Sequence, residues 1–499
     1  MIKQQHGLVF QVYESRFDSS SADQDNKFHR RRAGGHRIAN FLRSHDWDVE
    51  VIDFAAMFSI EELQELCRSR ITKKTKFIGF SCIFQSWPIV IDKFASWFKK
   101  NYPDIKIIWG GGYIIPPDVD SIDFYITGYG ENALLNLLKV ISGNSLVQSI
   151  TFDSRFKNKK VICADKTCPA FPMHQLSNTF EDRDFVLPEE WGHIELSRGC
   201  IFKCKFCSYP VLGVKGDYTQ DAEDFRKSLQ INHDRYGISN YYVVDETFND
   251  STDKISKYAD QVEKLSFVPF FSGFIRADLL LTRPEDKHHL LRMNFLGHYY
   301  GIESFNDKTA KTIGKGMPSE KLKQGLVDIK NFFQQSNRKI YRGSTSMIVG
   351  LPFETPDSLQ NSIDWHQQHW NDQHCIWNAL YIPSFNSAIP GMNDQMSIIG
   401  LNLKKFNYES LGTFDHLGTK WINWKNKDFT TEQAVSMCFS LAKNWSGSGT
   451  GNLTLDDLIY QKRTIDHALS TVTTNEQLVQ AQDYKYQIVQ QYKQKKLSI

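Results

Sequence analysis

The stretch Gly199-Cys200-Ile201-Phe202-Lys203-Cys204-Lys205-Phe206-Cys207, called the cysteine loop below, places three cysteines within eight positions. Three thiolates on one short loop can ligate three irons of a four-iron cluster and leave the fourth iron open to a substrate. Zinc is the structural alternative, but closed zinc sites use four protein ligands, and no fourth Cys or His follows nearby. An electron-transfer cluster would also normally have a fourth cysteine. The spacing therefore predicts a cluster that takes part in chemistry.

Composition and charge narrow the class of protein. With 499 residues, of which 41% are hydrophobic, the chain is long enough for two or three domains with buried cores. The net charge of +2 is too small to indicate a nucleic-acid or membrane partner. Because neither a signal-peptide pattern nor a run of about 18 apolar residues occurs, we expect a cytoplasmic protein without membrane spans. Nine cysteines, an odd number, favour metal ligation in a reducing compartment over a disulfide framework.

Short β-rich runs alternate with amphipathic helical stretches from residue 8 to about residue 150. This alternation predicts a doubly wound, Rossmann-like α/β domain with a parallel sheet. Its predicted strands are Gly7–Tyr13, Asp48–Asp53, Lys76–Cys82, Ile105–Gly110 and Phe124–Thr127. Ligands bind at the carboxyl ends of the strands in such sheets, which makes the residues after each strand candidates for a binding site.

Two glycine clusters follow neighbouring predicted strands of this domain. They are Gly110-Gly111-Gly112 after the fourth strand and Gly128-Tyr129-Gly130-Glu131 after the fifth. Glycine allows the backbone to approach a bulky ligand closely, so the two clusters together indicate a groove large enough for a cofactor. Tight turns alone are the alternative for either cluster taken by itself.

Two connecting regions are open to more than one interpretation. The arginine run Arg30–Arg32 either contacts a phosphate or a partner, or begins a solvated helix. Residues 147–190 are expected to form a hairpin followed by an irregular linker. Cys163 and Cys168 in this region either hold a second metal or are free thiols, since no third ligand is close in sequence.

The alternation of strands and helices resumes from Trp191 to about Pro383. Six predicted strands with helices between them indicate an incomplete barrel, whose chemistry should lie at the strand carboxyl ends. The strands are His193–Ser197, Asn240–Asp245, Phe270–Arg276, His298–Glu303, Ile340–Val349 and Cys375–Ile382. The cysteine loop follows the first of them. Beyond about residue 390 we expect a mainly helical region, whose tryptophans, Trp421, Trp424 and Trp445, either shape a pocket or belong to a core.

The cysteine loop resembles the signature of the radical S-adenosylmethionine (SAM) superfamily. That signature has three cysteines separated by three and then two residues, with an aromatic residue before the last, as in Cys200, Cys204, Phe206 and Cys207. The resemblance implies a partial (β/α)6 barrel and a 4Fe-4S cluster whose open iron binds SAM. It further implies that one electron cleaves SAM to a 5′-deoxyadenosyl radical, and that an electron donor such as flavodoxin or ferredoxin is a partner.

Residues at later strand ends match positions that contact SAM in this superfamily. In place of the usual amine-binding motif the chain has Asp245-Glu246-Thr247, which is similar to the variant found in cobalamin-linked members, and these side chains can accept hydrogen bonds from an amine. The resemblance assigns the following further residues to SAM: Phe206, Arg276, Glu303, Ser304, Gly350, Leu351 and Pro352. Arginine pairs well with a carboxylate, and a surface salt bridge is the alternative role of Arg276. Thr355 is expected to cap the helix that follows.

The N-terminal domain resembles the cobalamin-binding domain that precedes the barrel in one large subclass of the superfamily. The residues that match are Ser81, Gly110, Gly111, Gly112, Gly128, Tyr129, Gly130 and Glu131. An Asp-x-His-x-x-Gly loop, whose histidine ligates cobalt in other cobalamin proteins, does not occur in the sequence, so no lower axial histidine is expected. The predicted divisions are 1–150 for this domain, 151–190 for the hairpin and linker, 191–390 for the barrel and 391–499 for the C-terminal region.

The resemblance implies a radical SAM enzyme, most often a cobalamin-dependent methyltransferase that acts on an unactivated carbon; the substrate is unknown. One alternative is a rearrangement, cyclisation or sulfur insertion without functional cobalamin. The tRNA methylthiotransferases, which insert sulfur, carry a second cysteine triad that Cys67 and Cys82 do not reproduce. Another alternative is a non-catalytic iron–sulfur electron carrier, which the missing fourth cysteine disfavours.

Overall fold

The structure is a computed structural model in which two six-stranded sheets form the framework. It describes residues 5–12, 31–82, 88–111, 119–143, 150–154, 156–164, 173, 178–188, 190–207, 218–336, 341–382, 384, 403–416, 419–446 and 475–499. Within these ranges, no helix is both long and apolar enough to span a membrane.

The first sheet is doubly wound. Its strands are β1 (Gln5–Val12), β2 (Trp47–Ile52), β3 (Thr75–Cys82), β4 (Lys106–Gly111), β5 (Phe124–Thr127) and β6 (Val161–Cys163), and its helices are α1 (Ala33–Arg43), α2 (Ile60–Arg70), α3 (Pro88–Asn101) and α4 (Glu131–Ile141). All strands are parallel, in the order β2-β1-β3-β4-β5-β6. Leu8 and Phe10 pack in the core on one face, whereas Val9 packs in a separate core on the other. Both faces are therefore covered, which explains why β1 is apolar along most of its length.

The second sheet has the strand order of an opened barrel. Its strands are β7 (Trp191–Ile194), β8 (Asn240–Val243), β9 (Phe270–Phe274), β10 (Phe295–Glu303), β11 (Arg342–Val349) and β12 (His374–Ala379). The helices between them are α5 (Ala222–Tyr236), α6 (Thr252–Val262), α7 (Ala277–Thr282), α8 (Asp286–Arg292), α9 (Asp307–Ile313), α10 (Ser319–Gln335) and α11 (Pro356–His369). Each strand pairs in parallel with the next along the chain, so all six carboxyl ends lie on one edge.

The structure confirms the predicted fold class. Every predicted strand has a counterpart whose ends lie within three residues of the prediction. Thr355 caps α11 as expected, because its hydroxyl accepts a hydrogen bond from the Ser358 N–H and Pro356 occupies the first helical turn. An additional strand, β6, lies within the region predicted to be a hairpin and linker and pairs in parallel with β5. The first sheet therefore extends past residue 150, and the domain boundaries stay predictions.

The C-terminal region contains a strand pair as well as helices. Its elements are β13 (Glu409–His416), β14 (Thr419–Lys425), α12 (Thr431–Ser446) and α13 (Asn475–Leu497), with β13 and β14 antiparallel. The pair is hard to recognise in the sequence because β13 has only two large apolar residues, Leu411 and Phe414, and contains Gly412. Trp424 is fully buried in the barrel core, so packing is the correct alternative for this tryptophan.

The last helix packs back against the first sheet. Tyr492 of α13 is fully buried, and its hydroxyl accepts a hydrogen bond from the Asp53 N–H at 2.8 Å. Lys496 donates to Glu50 at 2.7 Å, with both side chains buried. These contacts hold the C-terminal helix to the end of β2.

Arg31 is buried, contrary to the expected solvated helix start. It is 1% exposed, contacts the carboxylate of Asp53 and places Nε 2.8 Å from Glu190 Oε2. Its guanidinium also lies 5.0 Å from the centre of the Tyr492 ring. Two carboxylates compensate the charge of Arg31, which is why it can leave water.

Candidate functional site

The cysteine loop follows β7 and lies against the end of α9. The Lys205 N–H donates to the carbonyl of Ile313 at 2.9 Å, and the Cys207 N–H donates to the carbonyl of Cys204 at 3.1 Å. Gly314 ends α9 with a φ of 90°, and the side where its Cβ would stand faces Cys204. The three thiols are partly exposed and form no disulfide. The structure thus places the three predicted cluster ligands on one fixed loop.

The donor set fits a cluster better than a single metal ion. In the part of the chain that the structure describes, no three Cys, His, Asp or Glu side chains are placed so that they could hold one metal ion. A four-iron cluster instead takes one thiolate at each of three separate irons. The Nη1 group of Arg276 lies 3.8 Å from Cys204 Sγ. Three thiols beside a cation therefore suit the predicted cluster.

Two of the predicted amine-binding residues, Asp245 and Thr247, contact the cysteine loop or the segment that leads into it. Asp245 is buried, and its carboxylate accepts hydrogen bonds from the backbone N–H groups of Leu196 at 2.7 Å and Ser197 at 3.1 Å. It therefore anchors the segment that leads into the cysteine loop. Thr247 Oγ1 lies 3.7 Å from Cys200 Sγ, which places it beside a predicted cluster ligand.

Glu246 has one carboxylate oxygen left for a ligand. Its Oε1 accepts a hydrogen bond from the Tyr129 hydroxyl at 2.9 Å, whereas its buried Oε2 has no hydrogen-bond partner among the described residues. Burial raises the pKa of Glu246 to about 8, and the nearby charge of Asp245 acts in the same direction. A cationic amine would supply the missing partner of Oε2. Of the three predicted residues, Glu246 therefore fits the amine of SAM best.

Arg276 is largely committed to a neighbour. Its Nε and Nη2 donate to the two carboxylate oxygens of Asp278 at 3.0 and 2.5 Å, and its guanidinium lies 3.8 Å from the centre of the Phe202 ring. The pair with Asp278 is a salt bridge, which was the alternative role, and it is partly buried, with the Arg276 side chain 13% exposed. Nη1 makes no hydrogen bond to Asp278 and lies 3.8 Å from Cys204 Sγ, so the predicted contact with the SAM carboxylate would use that group.

Glu303 and Ser304 end β10 and have separate partners. Glu303 is buried with a φ of 69°, and Lys315 Nζ lies 3.8 Å from its carboxylate. Burial raises the pKa of Glu303, and Lys315 opposes that shift. Ser304 donates its hydroxyl hydrogen to buried Glu354 at 3.1 Å. Phe206 packs partly buried against the barrel core, with Lys315 Nζ 5.9 Å from its ring centre.

Glu354→Gln is expected to stabilise the protein at alkaline pH and not in acid. Burial raises the pKa of Glu354 to about 7, although the hydroxyls of Ser304 and Ser358 oppose the shift. A carboxyl with a raised folded-state pKa is protonated in the native protein, so stability falls as pH rises from its unfolded value through about 7. The cost above that pH is roughly 3 kcal/mol, at about 1.4 kcal/mol per pKa unit.

Thermal unfolding at about pH 5 and about pH 8.5 would measure this difference. The melting temperature of Glu354→Gln should exceed that of the natural protein only at the higher pH. Glu320→Gln is the matched control, because the Glu320 side chain is 85% exposed. Equal melting temperatures of Glu354→Gln and the natural protein at the higher pH would contradict the prediction.

The turn after β11 contains the three remaining predicted SAM residues. Gly350 has a φ of 95° and packs against Trp424. Leu351 is fully buried in the barrel core. The carbonyl of Pro352 accepts a hydrogen bond from Thr309 Oγ1 at 2.8 Å. A contact of this turn with adenine stays a prediction.

Two glycines at the carboxyl edge of the first sheet differ in their surroundings. Among the described residues, a Cβ on Gly110 would have no neighbour closer than 4.0 Å, whereas a Cβ on Gly111 would lie 1.9 Å from the carbonyl oxygen of Cys82. Close packing of β3 and β4 therefore explains Gly111 without a ligand. Ser81 lies at the same edge, at the end of β3, and Gly112 lies outside the described residues.

The turn after β5 contacts the barrel directly. Gly128 has a φ of 85°, and Gly130 is the N-cap of α4. The Tyr129 hydroxyl donates to Glu246, as described above, and Glu131 forms a two-pronged pair with Arg198 at 2.6 and 3.1 Å. Glu131 is 3% exposed and its carboxylate joins the two sheets, while its predicted contact with cobalamin stays a prediction.

Four alternating charges make up this junction. Arg198 also donates to Glu195 at 3.0 and 3.1 Å, and Arg37 Nε lies 2.7 Å from the same carboxylate. Burial opposes ionisation of Glu131, but Arg198 outweighs it, so the pKa of Glu131 is lowered. We call Arg37, Glu131, Glu195 and Arg198 the buried charge network. It connects α1 and α4 of the first sheet to the segment that carries the cysteines.

Sequence reasoning missed this network and its neighbours. Arg198 immediately precedes the cysteine loop and Glu131 lies in a predicted glycine cluster, but the two partners are 67 residues apart and nothing local in the sequence pairs them. No sequence motif marked Lys315 or Glu354 as residues near the site. Cys163 is exposed, forms no disulfide and lies 2.9 Å from Asp153 Oδ2; Cys168 lies outside the described residues.

Comparisons with known proteins agree with this geometry. A sequence model of the radical SAM superfamily matches residues 194–366. An uncharacterised methyltransferase of Pyrococcus horikoshii is 22% identical over 352 residues, which is 65% of this chain and 71% of that protein. The ribosomal protein uS12 methylthiotransferase RimO of Chlorobaculum parvum is 21% identical over 214 residues, or 40% of this chain and 45% of that protein.

A solved structure resembles nearly the whole chain. The cobalamin-dependent SAM radical enzyme OxsB, with aqua-cobalamin and SAM bound, superposes with a TM-score of 0.63 over 99% of this chain and 72% of OxsB. The sequences are 14% identical, so the likeness is one of fold. It covers both six-stranded sheets.

Proposed function

The chain is a radical SAM enzyme with the fold of the cobalamin-dependent subclass, and we propose that it binds cobalamin and methylates an unactivated carbon. The relative named as a methyltransferase, which covers about two thirds of this chain, supports methylation. In this proposal Cys200, Cys204 and Cys207 hold a 4Fe-4S cluster. When bound, the cluster supplies the electron that cleaves SAM, and cobalamin carries the methyl group.

The observation that carries the cobalamin proposal is that the carboxyl edges of the two sheets face each other. Tyr129 follows β5 and bonds Glu246, which follows β8. Glu131 begins α4 and bonds Arg198, which precedes the cysteine loop. Cofactors bind at the carboxyl ends of parallel strands, so a cofactor on the first sheet would lie beside one on the barrel. The space at Gly110 supports this position.

The side chains around the loop have separate proposed tasks. Glu246 Oε2 would accept a hydrogen bond from the SAM amine, and the Nη1 group of Arg276 would donate to the carboxylate. Asp245 would keep the loop entrance in place through the backbone of Leu196 and Ser197. The apolar barrel core would exclude water from the reacting groups.

Anaerobic reconstitution with iron and sulfide, followed by dithionite and SAM, tests the radical chemistry. The natural protein is expected to release 5′-deoxyadenosine, and Cys204→Ala is expected to release none, because a lost thiolate removes one of three cluster ligands. Cys438→Ala is the control, since Cys438 is a partly buried cysteine on α12 far along the chain from the loop. Equal release from Cys204→Ala and the natural protein would contradict the assignment.

Cobalamin binding separates the methyltransferase from the alternatives. After incubation with hydroxocobalamin and desalting, the natural protein should retain a cobalamin spectrum. With a strong reductant and SAM, a methyltransferase should also release S-adenosylhomocysteine. If 5′-deoxyadenosine forms but cobalamin is not retained, the alternative is a rearrangement, cyclisation or sulfur insertion, the last being the activity named for the RimO relative.

A further inference from the structure

The cysteine loop exposes one large apolar residue and two lysines close to it in sequence. Ile201 is 68% exposed, which makes it one of the most exposed large apolar residues in the described ranges. Lys203 and Lys205, on either side of Cys204, are exposed as well. An exposed apolar residue ringed by charge is typical of a protein contact, because the apolar centre gains from burial and the rim stays solvated.

A third lysine belongs to the same face. Lys311 is exposed in the last turn of α9, and that end of α9 contacts the cysteine loop through the Lys205 N–H and the Ile313 carbonyl. Within the described residues, no ion pair is formed by Lys203, Lys205 or Lys311. Their three ammonium groups therefore remain available to a partner. We call Ile201, Lys203, Lys205 and Lys311 the basic face.

Carboxylates on the elements that border the loop have other partners. Asp278 is paired with Arg276, the partly buried Glu246 accepts a hydrogen bond from Tyr129, and Glu303 is buried beside Lys315. Asp307 is exposed, but it begins α9 and so lies at the end of that helix away from the loop. The local charge outside the loop is therefore positive, although the whole chain carries only +2.

We propose that the basic face is the docking surface of a small acidic electron-transfer protein, an inference that rests on the proposed cluster at Cys200, Cys204 and Cys207. One electron passes from the reduced carrier, which is oxidised, to the cluster, which is reduced, and no bond forms or breaks. Docking at this face brings the carrier to the thiol-bearing loop itself, since Cys204 lies between two of the lysines. Charge complementarity selects an acidic carrier and raises its association rate.

The test uses the reconstituted natural protein and oxidised bacterial flavodoxin, an acidic carrier, with binding measured by calorimetry. Charge reversal in Lys203→Glu/Lys205→Glu is expected to weaken binding by roughly tenfold or more, and Lys311→Glu by a smaller factor. Lys73→Glu/Lys74→Glu makes the same charge change on two adjacent exposed lysines before β3 and should leave the dissociation constant unchanged. High salt should weaken binding of the natural protein and abolish the differences.

The outcomes separate docking from the proposed function. Iron content of each variant and 5′-deoxyadenosine formation with dithionite, which needs no docking, report on the cluster alone. If Lys311→Glu, which lies outside the cysteine loop, and the double variant both bind flavodoxin as the natural protein does, the proposal is overturned. It is also overturned if flavodoxin does not bind the natural protein at low salt. Normal flavodoxin binding without 5′-deoxyadenosine from dithionite would contradict the proposed function and leave the docking surface supported.

Discussion

Arg198→Met is expected to destabilise the protein by about 3 to 5 kcal/mol, because it leaves buried carboxylates without their cation. The Arg198 side chain is 2% exposed and that of Glu131 is 3% exposed, so water cannot replace the lost partner. Glu195 retains Arg37 at 2.7 Å, whereas Glu131 loses both of its hydrogen bonds from Arg198. The free energy of unfolding in urea, measured for the transition that includes the barrel, would show the loss.

A matched arginine on the surface gives the control. Arg292 also bonds two carboxylates, those of Asp260 at 2.6 Å and Glu263 at 2.8 Å, but its side chain is 33% exposed. Arg292→Met is therefore expected to cost less than about 1 kcal/mol. Adding Glu131→Gln to Arg198→Met should recover part of the loss, because it removes the unpaired charge. Equal effects of Arg198→Met and Arg292→Met would contradict the account.

The same substitution should lower the iron content of reconstituted protein. Arg198 lies two residues before Cys200, and the hydrogen bonds of Asp245 to Leu196 and Ser197 hold the same segment from the other side. Without Arg198 the loop entrance loses its connection to the first sheet. A merely global destabilisation would instead leave the iron content of the folded fraction unchanged.

The strands could be predicted from the sequence, whereas the buried charge network could not. Strands were predictable because hydrophobic period and turn residues are local signals, as in β5, where prediction and structure agree at both ends. The three cysteines could be proposed as cluster ligands from the sequence because one short loop carries all of them. Glu131 carried a local signal as well, a glycine-rich turn at a strand end, but its partner depends on how two sheets pack, which no local pattern reports.

The role of a glycine likewise depends on tertiary neighbours that a local sequence pattern does not report. Gly110 and Gly111 are indistinguishable in the sequence, yet a Cβ at Gly110 would meet no described atom closer than 4.0 Å, whereas the carbonyl of Cys82 on the neighbouring strand occupies the position of a Cβ at Gly111. β13 illustrates another limit, since a strand with few apolar residues has no clear period. What a glycine does thus follows from its tertiary neighbours rather than from its cluster.

Gly350→Ala is expected to destabilise the protein by about 3 kcal/mol or more, since it combines backbone strain with overpacking. The φ of 95° is unfavourable for a residue with a Cβ, and that Cβ would lie 2.4 Å from the Trp424 ring. The ring cannot move easily, because Trp424 is fully buried and its Nε1 donates to the Leu380 carbonyl at 2.9 Å. The Tyr408 hydroxyl also donates to the Gly350 carbonyl.

Two other glycines separate the contributions to this effect. Gly412 has a φ of 109° with no neighbour within 4 Å of a Cβ, so Gly412→Ala should show strain alone, about 1 to 2 kcal/mol. Gly316 has neither feature, and Gly316→Ala should change stability by less than about 0.5 kcal/mol. If Gly350→Ala costs no more than Gly412→Ala, Trp424 does not restrain the turn. If Gly350→Ala costs more, Trp424 of the C-terminal region fixes the turn at the end of β11. Gly350→Ala should then also weaken SAM binding in equilibrium dialysis, because the turn predicted to lie beside adenine would shift.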